Sequence, residues 1–203
     1  MNLDQIQQLL TLSDKFRSIR RVVFTPGTRL QENDAEHSYE LMLLCWFLAI
    51  KRNQENDKQL NLEKVFTYAL VHDLVEAYAG DTNSLDESAQ AGKEAREHVA
   101  LERIEHEFSF FPELAEYITE YEQQTDPESR FVKSVDKLLP ALSGMRDEFS
   151  AYREFNATVT LSQIDAIKKR KISDPDVLAI WLEMKKQIEA DGGFSWAEAL
   201  KES

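Results

Sequence analysis

A chain of 203 residues with only six glycines and five prolines has few places at which to turn sharply. β-Sandwiches and repeat solenoids need turn residues at short, regular intervals, whereas a helical bundle needs them only between helices. The scarcity of both points to an all-α fold. One globule of this length buries a proper core. Its 42% apolar and 30% charged residues suit a soluble folded protein rather than a disordered one.

Hydrophobic spacing then predicts the elements. Leu3 to Phe16 carries apolar residues at near-helical intervals. Arg17 to Asn33, with Pro26 and Gly27 inside it, reads as a loop. Asn33 and Asp34 are good N-caps for a helix from Ala35 to about Arg52. Its apolar centre, Leu41 to Ile50, reads as the buried axis of the fold, with Cys45 and Trp46 in the core. After a polar connector, Asn53 to Asn61, a third helix runs from Leu62 to about Ala79 and stops at Gly80. Beyond a polar loop, Asp81 to Ser88, comes a charged helix from Ala89 to Phe108, on which His98 and His106 read as exposed. Pro112 starts another helix, and Asp126-Pro127 opens one that passes through Pro140. Further helices are predicted for Leu161 to Lys171, Pro175 to Ala190, and Trp196 to the end. Neither a repeat nor a linker is evident, so residues 1–203 read as one domain, with helices from about 157 to 203 packing on the rest.

Net charge and cysteine usage exclude several functions. Lys plus Arg number 24 against 37 Asp plus Glu, a net charge of −13, and such a surface repels nucleic-acid polymers. The longest apolar run is far short of the roughly 20 residues of a membrane span. The single cysteine fits a reducing compartment, and MNLDQIQQLL lacks the order of a signal peptide. A cytoplasmic protein is expected. The basic run Lys168 to Lys171 reads as a solvated helix end.

The chemistry concentrates in Leu70-Val71-His72-Asp73-Leu74-Val75-Glu76. Three ionisable groups within an apolar helix are costly unless paired, solvated or bound to a metal; four residues apart, His72 and Glu76 share a helix face. A lone His-Asp pair is unremarkable, but His37 near the start of the buried helix, Asp136 inside another apolar helix, and Asp81 just past Gly80 place similar groups on three separate helices. Imidazoles with carboxylates suit a hard or borderline divalent ion and leave coordination positions open. With one cysteine, a closed structural zinc site is not expected.

In this order, His37, His72-Asp73 and Asp136 resemble the HD-domain metal-dependent phosphohydrolases. Glu32 to Ser38, His72 to Asp81 and Phe131 to Asp136 are similar to the 5′-deoxynucleotidase branch (YfbR-like, HD-domain-containing protein 2), over roughly residues 15–145. The resemblance implies a helical bundle of the HD type and a divalent metal (Co, Mn, Mg or Zn) on His37, His72, Asp73 and Asp136. It gives acid–base and water-orienting roles to Glu76 and Asp81. The substrate implied is a small nucleotide, a (deoxy)nucleoside 5′-monophosphate, and the assembly a homodimer. An Arg upstream of the first His meets the phosphate in that family; Arg20 and Arg21 both stand at the right place, Arg21 being preferred, and Lys133 matches a further family lysine. Two places depart from the pattern: Val22-Val23 replace an aromatic, and Thr82 stands where proline is usual. Both lie where the sugar is expected. Two other readings compete: an HD-type hydrolase of a nucleoside triphosphate, alarmone or cyclic nucleotide, and a metal- or nucleotide-binding module without turnover.

Overall fold

The computed structural model describes residues 2–55, 59–83 and 86–194. It bears out the all-α class, with one addition. The predicted loop at 17–33 contains a small two-stranded sheet, β1 (Arg20–Phe24) paired with β2 (Gln31–Asn33). The connecting turn carries Pro26 and Gly27, the latter at φ 78°, and Thr28 N–H donates to the Thr25 carbonyl at 3.0 Å. This use of Pro followed by a left-handed Gly is ordinary turn chemistry.

The chain forms two compact units, Met1–Arg21 with Glu32–Ser129, and Val22–Gln31 with Arg130–Ser203. In the first, α1 (Leu3–Ser18) packs on α2 (Asp34–Glu55) and on the short α4 (Glu76–Ala79). Helix α2 packs on α3 (Leu62–Val71), α4 on α6 (Lys93–Glu107), and both α3 and α6 on α7 (Pro112–Gln123). A core of Leu12, Val71, Val75, Ala100, Ile104, Phe108, Leu114 and Ile118 ties α1, α3, α6 and α7 together. Side-chain caps begin several of them: Asn2 accepts from Asp4 N–H at 3.0 Å, and Asn61 accepts from Glu63 and Lys64 N–H.

The third predicted helix is not continuous. It ends at Val71, and His72 to Val75 form a tight turn before α4. Leu74 N–H bonds the Val71 carbonyl and Glu76 N–H bonds the Asp73 carbonyl, both three residues back. At three residues per turn, i and i+3 eclipse, so Asp73 and Glu76 are brought into line where regular α-helix would have stacked His72 and Glu76. The predicted helix 89–108 is also interrupted: α5 (Glu87–Gln90) ends and α6 starts after Gly92, at φ 75°. Helix α2 buries one stripe only, Asp34, His37, Ser38, Leu41, Cys45 and Ala49. Cys45 is core, as predicted, but Trp46 is 49% exposed beside Tyr39, Leu43 and Phe47.

The second unit takes α8 (Pro127–Arg146) from Arg130 onward, α9 (Ser150–Phe155), α10 (Leu161–Lys171) and α11 (Pro175–Ala190). Helices α10 and α11 match their predicted limits; α9 is an addition to them. Thr160 and Gln163 form a capping box on α10, and Asp174 caps α11. Phe131, Val132, Val135, Leu138, Ile164, Val177 and Trp181 are buried. Ser134 Oγ accepts from the Ser173 and Asp174 N–H groups, so the turn between α10 and α11 is bonded to α8. The basic run is a solvated helix end at Lys169 and Arg170, with Lys171 partly exposed, but not at Lys168, which is buried and whose ammonium donates to the Lys137 carbonyl. His98 and His106 are exposed as expected. The helix predicted from Trp196 lies outside the described residues. Among those described, no helix is long and apolar enough to cross a membrane.

Candidate metal centre

Asn33 sets the start of α2. Its side chain accepts from the Ala35 and Glu36 N–H groups, each at 3.0 Å, while Glu36 accepts from Asn33 N–H at 3.0 Å. This reciprocal cap leaves Asp34 in the first helical turn, fully buried, and His37 one turn further on, 1% exposed. The tight turn after α3 presents His72 and Asp73 to the same place. The two imidazole centroids lie 5.4 Å apart. His37, His72 and Asp73 each offer one ligand atom within 4.8 Å of the others.

The donor set fits a divalent ion. His72 Nδ1 lies 3.0 Å from the Ala69 carbonyl; a proton there makes that bond and leaves a lone pair on Nε2. The nearest Asp73 oxygen is 2.9 Å from that nitrogen. Two electron-pair donors facing each other at this distance are what a cation bridges, and holding the far ring nitrogen on a backbone carbonyl is how metal-ligating histidines are oriented.

Carboxylates dominate the surroundings. Arg21 lies among four of them: its Nη1 donates to Asp34 at 3.1 Å and Asp73 at 2.8 Å, with Glu32 at 3.8 Å from Nε and Glu76 at 3.9 Å from Nη1. Burial pushes the Asp34 carboxyl up to about 6, against the pull of Arg21. Burial pushes Glu76 much further above the ordinary range, reinforced by the negative charge of Asp73 and opposed by Arg21. Asp81 is raised for the same first reason, with Arg21 and Lys93 lowering it. Crowded buried carboxylates cannot all ionise beside one guanidinium, and an added dication relieves that strain.

Gly80 directs Asp81. It closes α4 at φ 77°, ψ 153°, its N–H bonded to the Glu76 carbonyl. This region is essentially restricted to glycine. The following stretch is held by Gln90, which donates to the Thr82 and Asn83 carbonyls, and by Arg96, which donates to Thr82 Oγ1.

The first unit thus brings together His37, His72, Asp73, Glu76 and Arg21 of the predicted residues, with the carboxyl of Asp81 in the same electrostatic field. Arg20 sits on β1 with its side chain exposed. Asp136 and Lys133 belong to α8 in the second unit. Asp136 is 2% exposed, with Lys137 Nζ 2.7 Å from its Oδ2; Lys133 is partly exposed. Three contributors carry no individual signal in the sequence reading. Glu32 and Asp34 flank Arg21, a relation that two-residue alternation into the helix start could have signalled. Lys93 lies 3.8 Å from Glu76, and nothing in its charged helix distinguishes it.

This fold and centre define a class. The family model described as "HD domain" matches residues 13–181, and the chain belongs to the HD-domain family. Among solved structures it is similar to one described as a predicted metal-dependent phosphohydrolase from Magnetospirillum magnetotacticum, with TM-score 0.77, 26% identity, and coverage of 93% of this chain and 95% of that one. Among curated proteins it is similar to 5′-deoxynucleotidase hdd1 of Schizosaccharomyces pombe, 28% identical over 143 residues, covering 68% of this chain and 67% of that one. It is also similar to 5′-deoxynucleotidase HDDC2 of Mus musculus, 26% identical over 170 residues, covering 82% and 79%.

Proposed function

We propose that this protein is a divalent-metal-dependent phosphohydrolase that releases phosphate from nucleoside 5′-monophosphates, deoxynucleotides foremost. The observation that carries the reading is the buried convergence of His37, His72 and Asp73 inside a field of carboxylates. The likeness to 5′-deoxynucleotidases supports the substrate class. Asp136 is proposed as the fourth ligand; its support is a buried carboxylate in the segment that resembles the family's last ligand motif. The whole of 1–203 is taken as one catalytic domain, supported by a family match that runs through both units.

A bound divalent ion supplies Lewis-acid charge to the phosphoryl oxygens and lowers the pKa of water. The chain's own residues do the rest. Glu76, held protonated by burial and its acidic neighbours, keeps a proton on its carboxyl that can pass to the departing 5′ oxygen. Asp81 orients water. Arg21 keeps the carboxylates in register, which assigns direct phosphate contact to the exposed Arg20, with Lys133 as a second cation. Thr82 and the valines of β1 stand where the sugar is expected, so they set the ribose preference. A cytoplasmic location belongs to the same reading, supported by a lone, buried cysteine.

A homodimer is proposed through the exposed apolar face of α2 and α3. Tyr39, Leu43, Trp46 and Phe47 line one side of α2, Phe66 and Leu70 extend the face on α3, and the Trp46 and Phe66 rings lie 6.1 Å apart. Six such half-exposed side chains present roughly 600 Å², near the roughly 800 Å² that each partner contributes to a standard interface. An apolar patch on a chain of net charge −13 gives two acidic copies a reason to meet there rather than on their charged faces. Light scattering of Leu43→Glu should show monomers where the parent shows dimers; a monomeric parent refutes the interface.

The function is tested by phosphate release from metal-stripped protein supplied in turn with cobalt, manganese, magnesium or zinc, using paired deoxy- and ribonucleoside 5′-monophosphates and one triphosphate. Metal-dependent orthophosphate from the monophosphates is expected, and Asp73→Ala should lose metal and turnover together. Cleavage of the triphosphate alone, or turnover by metal-free Asp73→Ala, refutes the proposal.

A further inference from the structure

Lys168 is a buried amine that the reaction above does not use. It lies on α10 with its side chain enclosed, and burial pulls its pKa down to about 7. Its hydrogen bond among the described residues goes to one acceptor, the main-chain carbonyl of Lys137 on α8. Enclosing a lysine head group for a single backbone carbonyl is costly, so what that carbonyl belongs to matters.

Lys137 follows Asp136 directly, and the same turn of α8 is weakened by sequence. Residue 140 is proline, inside the helix. Proline has no N–H to return to the residue four back, and its ring crowds that residue's carbonyl; four back from Pro140 is Asp136. The helical turn that presents the Asp136 carboxylate therefore lacks one of its own main-chain bonds, and Lys168 bonds the very next carbonyl from outside the helix. On the other side of the turn, Ser134 Oγ donates to the Arg130 carbonyl and accepts from the start of α11, so the segment is held from both flanks. The charges agree with this placement: Asp136 attracts the ammonium, while Lys137 and Lys171 repel it.

We propose that Lys168 is a positioning residue: by gripping the Lys137 carbonyl from outside the helix it ties down the turn of α8 that Pro140 weakens and that carries Asp136. The proposal rests on the reading of Asp136 as a metal ligand. Lys168 touches neither metal nor substrate in this role and acts through the backbone.

The test uses full-length, metal-stripped protein titrated with Mn²⁺ by calorimetry, alongside the melting temperature of the metal-free form. Lys168→Met keeps the length and removes the charge and the donors. Removing a residue that orients a ligand costs about 10- to 100-fold in metal affinity. Lys168→Met should weaken Mn²⁺ binding by that factor while the metal-free melting temperature stays at or above that of the parent, because a costly buried charge has gone. Pro140→Ala restores the missing N–H, so Pro140→Ala with Lys168→Met should bind Mn²⁺ more tightly than Lys168→Met alone. Parental affinity in Lys168→Met overturns the proposal. If Lys168→Met is poorly folded, the double variant decides: recovered affinity supports the clamp and no recovery overturns it. Asp136→Asn separates the two readings. Parental Mn²⁺ affinity there removes the ligand assignment itself; lost affinity there with parental affinity in Lys168→Met overturns only the clamp.

Discussion

Replacing Gly80 by alanine isolates backbone geometry from every other variable. Gly80 sits at φ 77°, ψ 153°, and a methyl added there meets nothing within 4 Å. Packing is therefore untouched, and the whole effect is the strain of holding an L-residue in a region essentially reserved for glycine, about 1–3 kcal/mol. For a chain of this size each kcal/mol lowers the melting temperature by about 2–4 °C, so a loss of roughly 2–12 °C is expected in metal-free protein. The chain can relieve the strain only by rotating the peptides that lead to Asp81, so kcat should fall more than stability alone would predict. Gly27→Ala is the matched control. It too has positive φ, 78°, and open space around the new methyl, but it lies in the turn of the small hairpin. It should lose stability, by about 1–2 kcal/mol for a left-handed alanine, and keep parental kcat. The assays are thermal melts and steady-state phosphate release. Parental stability and turnover in Gly80→Ala would refute the argument that this glycine's conformation places Asp81.

Arg21→Met should destabilise the fold by about 3–5 kcal/mol, because it strands buried carboxylates; Arg20→Ala should leave stability intact and raise KM, and urea melts with kinetics on both variants would expose a reversal of these roles. Glu76→Gln should keep metal affinity, measured by calorimetry, while losing turnover, since it retains the shape but not the transferable proton. The metal-free protein should lose stability as pH rises. A carboxyl whose folded pKa is raised binds more protons folded than unfolded, so Asp34 makes the fold less stable as pH climbs from about 4 to about 6, and Glu76, raised further, continues the decline towards neutral pH and above. Asp126 and Asp165, lowered to about 2, act oppositely only below that window, and Lys168, lowered to about 7, acts oppositely only above about pH 7, where it offsets part of the decline from Glu76. Melts at pH 5 and pH 8 check the sign: the higher melting temperature belongs to pH 5, and saturating divalent ion should shrink the difference.

Local signals make much of this molecule readable. Thr160 and Asp174 cap α10 and α11 with their own side chains, and Pro112 opens α7 where its missing N–H costs nothing. These depend on neighbours within three residues and can be read directly. The proposed metal ligands are legible for a different reason: His72, Asp73 and Asp136 are ionisable groups in apolar surroundings, a conflict that the order of residues displays on its own. Arg21 is misleading for the opposite reason. Its partners stand 13 and 52 residues away, and a basic side chain beside a predicted phosphate site looks the same whether it faces solvent or four carboxylates.

The helical class, the succession of most helices and the chemical kind of the centre follow from the order of residues alone, because propensity, capping and the cost of burying charge are properties of short segments. Tertiary structure alone decided where helix gives way to the tight turn at His72–Val75, which lines up Asp73 with Glu76. It alone decided which face of an apolar α2 is core, and that Lys168 is enclosed while its basic neighbours are not. Each of these outcomes turns on which distant surface a residue meets, and the sum of packing contacts outweighs local preferences worth well under 1 kcal/mol per residue.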